Sequence, residues 1–261
     1  MLLRSAACGI VLYSFWKIDL TTFTVTTNWN LGNYGDIFKS IYLQALLRSI
    51  LITLATVVGC LLLGLPIAYF IASCKGKLQL LMIGAIVIPF WTSFVVRTYA
   101  WLELLGAHGV ITQALVHMHL VADGTDLRYS TTAVIIGMVY SYLPMMILPV
   151  YSTFEQLDQP LLEAAADLGK TPSQAFFQIV MPSCGGGIVA GSLLVAIPAL
   201  GEYTIPAILG GSKTLMIGNV IASEFQTTGN YPRGAALSSV LMVAVLLIII
   251  GKQIMQWRKV R

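Results

Sequence analysis

Five apolar runs, each of roughly 20 residues or more, dominate this chain. They cover about residues 45–73, 78–105, 131–154, 188–209 and 235–257. Uninterrupted apolar stretches of that length match a hydrocarbon layer of ~30 Å. The period-2 alternation of an outer-membrane barrel is absent, so helices are the spanning solution. In lipid only helices and closed barrels satisfy every backbone N–H and C=O. Composition agrees: 57% of the 261 residues are hydrophobic and 10% are charged, where a soluble domain carries about a quarter charged. That balance excludes an ordinary soluble enzyme, a disordered chain and a nucleic-acid binder. The expected fold is an all-α polytopic membrane protein, with residues 1–261 forming one transmembrane domain.

Lys and Arg near the span ends set the orientation. The C-terminal tail carries Lys252, Arg258, Lys259 and Arg261 and no acid, so it is placed in the cytoplasm. Counting back puts residues 17–44 outside, and Lys75-Gly76-Lys77 and residues 155–182 inside. The segment 2–16 must then cross the membrane, which gives about six helices with the first one short. A signal peptide with Arg4 as its basic start is the competing reading. No small-x-small cleavage site follows it, since the chain runs Trp16-Lys17-Ile18-Asp19, and this favours a short or truncated first helix. Pro66, Pro89, Pro144, Pro149, Pro198 and Pro206 interrupt the spans, as suits a conduit more than an anchor.

No metal or cofactor site is expected. Cys8, Cys60, Cys74 and Cys184 fit no ligand spacing and read as small core residues. His108, His117 and His119 read as loop residues in a polar connection.

The inside segment 155–182 is the most informative. Asp158 can cap a helix with Pro160 near its start, and Leu161, Leu162, Ala165 and Leu168 form one apolar stripe. Gly169 suits a left-handed stop. Thr171, Pro172 and Gln174 form a capping box that restarts a helix leading through Phe176, Phe177, Ile179 and Val180 to Pro182. A helix–Gly–helix of this kind exposes an apolar ridge that calls for a partner. Gly169-Lys170-Thr171 imitates the end of a phosphate-binding loop. However, the motif needs Gly where Ala164 stands, and a strand where a helix is expected, so the chain does not bind ATP itself.

This loop resembles the EAA motif of binding-protein-dependent ABC importer permeases: Glu163-Ala164-Ala165, then Gly169, then Ile179, Met181 and Pro182. Met181 stands where Leu is usual, a volume-conserving change. The resemblance implies the type I ABC importer permease fold. It also implies that Glu163, Ala164, Ala165, Gly169, Ile179 and Pro182 couple the chain to an ABC ATPase dimer. Further implied partners are a second permease subunit and an external solute-binding protein, in a bacterial inner membrane. The stretches Ile88-Pro89-Phe90-Trp91-Thr92-Ser93, Val95 to Trp101, Pro198 to Pro206 and Leu209 to Lys213 resemble the spermidine/putrescine permease subgroup. Subgroups for opines and other amines share parts of them.

Charge supplies separate support for a small cationic substrate. Glu202 lies in an apolar segment between Pro198 and Pro206, where an ionisable group marks a site. Tyr203 beside it could add cation–π attraction. Glu103 with Tyr99 one helical turn earlier forms a similar pair, and Trp91 could add an aromatic wall. An ion pair between Glu202 and Arg97 is an equal alternative for Glu202. Gly187 and Gly191 form GxxxG, which signals close helix packing, with the second permease as a candidate partner. The rival to an importer is an ion-coupled secondary transporter, which explains Glu202 and the prolines but not the loop.

Overall fold

The computed structural model describes residues 9–19, 24–27, 29, 31–156, 171, 174 and 176–259. Its described helices of eight or more residues are α1 (Ser40–Ser73), α2 (Lys77–Val87), α3 (Phe94–Leu104), α4 (Val110–His117), α5 (Thr131–Glu155), α6 (Gly185–Leu200), α7 (Ile217–Gln226) and α8 (Tyr231–Lys259). A short antiparallel hairpin, β1 (Lys17–Asp19) with β2 (Thr24–Thr26), pairs Ile18 with Val25 and is the departure from an all-helical chain among the described residues.

α1, α5 and the 231–251 part of α8 are each long and apolar enough to cross a membrane. The other two apolar runs are broken, where the sequence reading drew single spans. The run 78–105 becomes α2, a 3-10 turn at Ile88–Trp91 and α3, and the two halves meet at 98°. Pro89 lacks the amide that would continue α2. The Thr92 amide and hydroxyl both donate to the Pro89 carbonyl (3.3 and 2.6 Å), which closes the turn, and Thr92 and Ser93 are extended. The run 188–209 ends as α6 at Leu200 and resumes as a wide helical turn at Pro206–Gly210. Of the six interrupting prolines, only Pro89 and Pro206 sit at breaks; Pro66, Pro144, Pro149 and Pro198 lie inside helices.

The chain divides into two compact units. One comprises Met1–Ile50, Gly201–Tyr203 and Leu215–Arg261, and the other Leu51–Leu200 and Thr204–Thr214. In the second unit α5 is the core element: 56% of its apolar window is buried, against 28% for α1 and 29% for α8, so α5 is wrapped by protein while much of α1 is bare. Small residues let neighbours approach it. A Cβ on Gly59 of α1 would lie 2.7 Å from Val139, and one on Gly64 would lie 3.0 Å from Met146. From α6, Gly187 presses on Pro149 and Thr153, and Gly191 on Met146. The GxxxG pair therefore does produce close helix packing, but onto α5 of the same chain.

In the first unit, Tyr42 and Ala45 of α1 pack with Ile217 of α7 and Leu237 of α8. The buried Ser49 hydroxyl accepts the Ile217 amide at 2.7 Å and so caps α7 from a different helix.

Candidate coupling and transport site

The candidate coupling segment 155–182 follows the end of α5 and leads into α6. Both roots are anchored within the second unit. Gln79 of α2 donates from Nε2 to the Tyr151 hydroxyl (2.8 Å) and to Glu155 Oε1 (3.3 Å), tying down the last turns of α5. On the return side Val180 and Cys184 are buried. Ile179 belongs to a wide turn at Phe176–Val180, and Pro182 occupies the short helical turn Met181–Ser183, whose fixed φ suits a first-turn position. Three residues past Cys184, Gly187 meets the Pro149–Thr153 stretch of α5. The two legs of the loop thus run into the most closely packed helix pair of the unit.

Glu163, Ala164, Ala165 and Gly169 lie outside the described residues. The reciprocal cap read at Thr171 is present: its amide donates to Gln174 Oε1 (3.1 Å) and its hydroxyl accepts the Gln174 amide (3.4 Å).

The residues read as lining a substrate path fall in different units. Tyr99, Glu103 and Trp91 belong to the second. Tyr99 and Glu103 share an exposed face of α3, Tyr99 being 54% exposed, and Trp91 at the bend is 89% exposed. Glu202 and Tyr203 belong to the first unit, in the non-helical stretch after α6. Asn219 of α7 donates to the Tyr203 carbonyl at 2.8 Å, and Gly218 lies against the carbonyls of residues 201 and 202, so a side chain there would collide with backbone. Tyr203 is 48% exposed and lines an open groove of about 550 Å³, walled also by Ile221, Phe225, Leu241 and Val245. Glu202 is half-buried and has a partner of its own. His117 closes α4, so it is helical and not the loop residue expected.

One polar cluster escaped the sequence reading. In the first unit Glu224 of α7 is 7% exposed, accepts from the Tyr42 hydroxyl at 2.9 Å and lies 3.9 Å from Arg233. Arg233 also donates to Asp36 at 2.7 Å, and Lys39 pairs with the other Asp36 oxygen at 2.7 Å. The Lys39 hydrogen bond, with Arg233 alongside, holds the Asp36 carboxyl below its ordinary range. The available signal was three ionisable residues, Asp36, Glu224 and Arg233, close to the ends of apolar runs.

Broken apolar helices around a buried α5 define a polytopic membrane protein. The chain belongs to the family of binding-protein-dependent transport system inner membrane components, whose pattern matches residues 85–257. It is 37% identical over 252 residues to the spermidine/putrescine transport system permease protein PotB of Salmonella typhimurium (strain SL1344), covering 97% of this chain and 86% of that protein. Identity to PotB of Haemophilus influenzae is 40% over 217 residues, covering 83% and 76%. In three dimensions the chain resembles a chain of a bacterial alginate ABC transporter, solved in complex with an alginate pentasaccharide-bound periplasmic protein. The TM-score is 0.66 at 16% identity, covering 99% of this chain and 89% of that one. The fold is accordingly the all-α polytopic type I ABC importer permease fold. Family membership sets aside the ion-coupled secondary transporter.

Proposed function

We propose that this chain is the permease subunit of an ATP-driven importer of polyamines, spermidine or putrescine. The observation that carries the substrate is the 37% identity, over 97% of the chain, to a protein named for spermidine/putrescine transport. Carboxylates beside aromatic rings, at Glu202–Tyr203 and Glu103–Tyr99, suit a flexible cation. In this reading an ABC ATPase dimer grips the loop 155–182 from the cytoplasm, where the C-terminus also lies. A second permease subunit completes the path, and an external binding protein delivers the solute. Closure of the ATPases pulls on Glu163, Ala164, Ala165, Gly169, Ile179 and Pro182. The anchored α5–α6 pair carries that movement into the membrane, and the path alternates between its two openings.

The test is uptake of radiolabelled spermidine and putrescine by cells that lack their own polyamine importers and express this chain with its companion subunits. Uptake that needs ATP and is abolished by Gly169→Asp, with membrane insertion intact, supports the reading. Uptake of an opine or another amine, with neither polyamine carried nor competing, overturns the polyamine assignment.

A further inference from the structure

The turn Lys75-Gly76-Lys77 joins α1 to α2, and the two helices leave an open groove of about 400 Å³ between them, within the second unit. Ile67, Phe70 and Ile71 of α1 wall one side, and Met82, Ala85 and Ile86 of α2 wall the other. Every lining residue is apolar. At 1.5 Å per residue the lining begins roughly 3 Å and ends roughly 14 Å from the helix ends at the turn. Phe70 is 58% exposed and Ala85 is exposed too, so the groove opens sideways, out of the chain. An α-helix is about 10 Å across, so a groove of this size takes no more than about one turn of one. A thin, flexible apolar chain fits it better.

The mouth of the groove carries charge. Lys75 and Lys77 are both exposed, and no salt bridge to either is found among the described residues. Glu155, at the end of α5, takes a hydrogen bond from the neutral Gln79 amide and not from a lysine. The start of α2 has no side-chain cap, so its partial positive charge adds to that of the lysines. Two unpaired cations at a span end, directly above an apolar slot, complement the two halves of an anionic phospholipid.

We propose that the α1–α2 groove is a binding site for an anionic phospholipid. One acyl chain lies between Phe70 and the Met82–Ile86 stretch, and the phosphate sits against Lys75 and Lys77. A zwitterionic lipid brings the same chains, but also an ammonium that the lysines repel. In the orientation proposed above the turn faces the cytoplasm, so the lipid belongs to the inner leaflet. The proposal rests on the membrane-spanning fold and not on which solute is carried.

The test uses the whole importer, reconstituted in nanodiscs with phosphatidylglycerol that bears a photoactivatable diazirine in one acyl chain. Peptides spanning 66–71 and 82–86 should be labelled at about tenfold the level given by the phosphatidylcholine analogue. Lys75→Gln together with Lys77→Gln should cut the phosphatidylglycerol label by about tenfold. Lys75→Arg together with Lys77→Arg should keep it, which guards against misplaced helices. Ala85→Trp should fill the slot and remove the label with both lysines in place. Equal labelling by the two lipids overturns the proposal, and so does full labelling of the double glutamine variant. An unlabelled groove that crosslinks instead to a companion subunit overturns it as well. Binding is read without transport, so an importer that carries no polyamine would sink the substrate assignment and leave this site standing.

Discussion

The Tyr42 hydroxyl donates to Glu224 Oε1 at 2.9 Å, joining the first turn of α1 to the last turns of α7 across a separation of 182 residues. Both side chains are buried, so the bond forms where water cannot replace it. Removing the hydroxyl leaves that carboxylate oxygen without its hydrogen bond, with only Arg233 at 3.9 Å beside it, at a cost of about 1–3 kcal/mol. Tyr42→Phe should therefore lower the thermal midpoint of the purified protein, and adding Glu224→Leu should recover part of the loss. A double-mutant cycle showing no coupling would refute the assignment.

Asp36 gives this cluster a dependence on acid. Its folded pKa is depressed by Lys39 and Arg233, so its contribution is complete above the ordinary value of 3.8 and fades as pH falls through the lower folded value. Thermal midpoints measured downward from pH 5 should drop more steeply for the wild type than for Asp36→Asn. Parallel curves would show that Asp36 carries no linkage.

Gly187 and Gly191 allow α6 to lie on α5. A methyl on Gly187 would collide with the Thr153 hydroxyl and sit 2.8 Å from the Pro149 carbonyl, whereas one on Gly191 would sit 2.9 Å from the sulfur of Met146. Overpacking of this kind costs about 1–3 kcal/mol. Gly187→Ala should cost more than Gly191→Ala, because its backbone contact is tighter, 2.8 Å to the Pro149 carbonyl against 3.1 Å to that of Met146, and the methionine tip can yield. Gly186→Ala, with nothing within 4 Å, serves as the neutral control. Midpoints that rank the three otherwise would contradict the packing.

Ser49→Ala should destabilise the start of α7. The substitution leaves the buried Ile217 amide without its acceptor at 2.7 Å, worth about 1–3 kcal/mol. Hydrogen exchange at Ile217 would quicken well before global unfolding; unchanged protection would count against the cap.

Glu202→Gln should reduce uptake of spermidine or putrescine while leaving recovery of the ATPase with the chain unchanged. The change removes charge but keeps shape, so a packing role alone predicts no effect on transport. Wild-type uptake would take Glu202 off the path.

Much of this was legible from residues. Continuous apolar runs announced spanning helices, since lipid offers no other way to satisfy the backbone. The Thr171–Gln174 cap could be read from spacing alone because its partners are three residues apart. Glycine spacing announced close packing at Gly187 and Gly191, but not the partner, because a small face fits any neighbour that reaches it. Proline positions suggested breaks without separating Pro89 and Pro206, which break helices, from Pro66 and Pro144, which do not. A proline removes the same donor everywhere, and surrounding packing decides whether the helix continues.

What the sequence by itself determined was local: membrane residence, helix type, the loop with its motif, and the family that the motif implied. Each of these rests on periodicity or spacing within a few turns of chain. Only the tertiary structure decided that α5 is the buried element, that Arg233 reaches Asp36 from 197 residues away, and that Arg97 meets rings but no anion among the described residues. Those facts depend on which distant surfaces are brought together. Contact between distant residues is settled by the packing of whole helices, which no short stretch of sequence encodes.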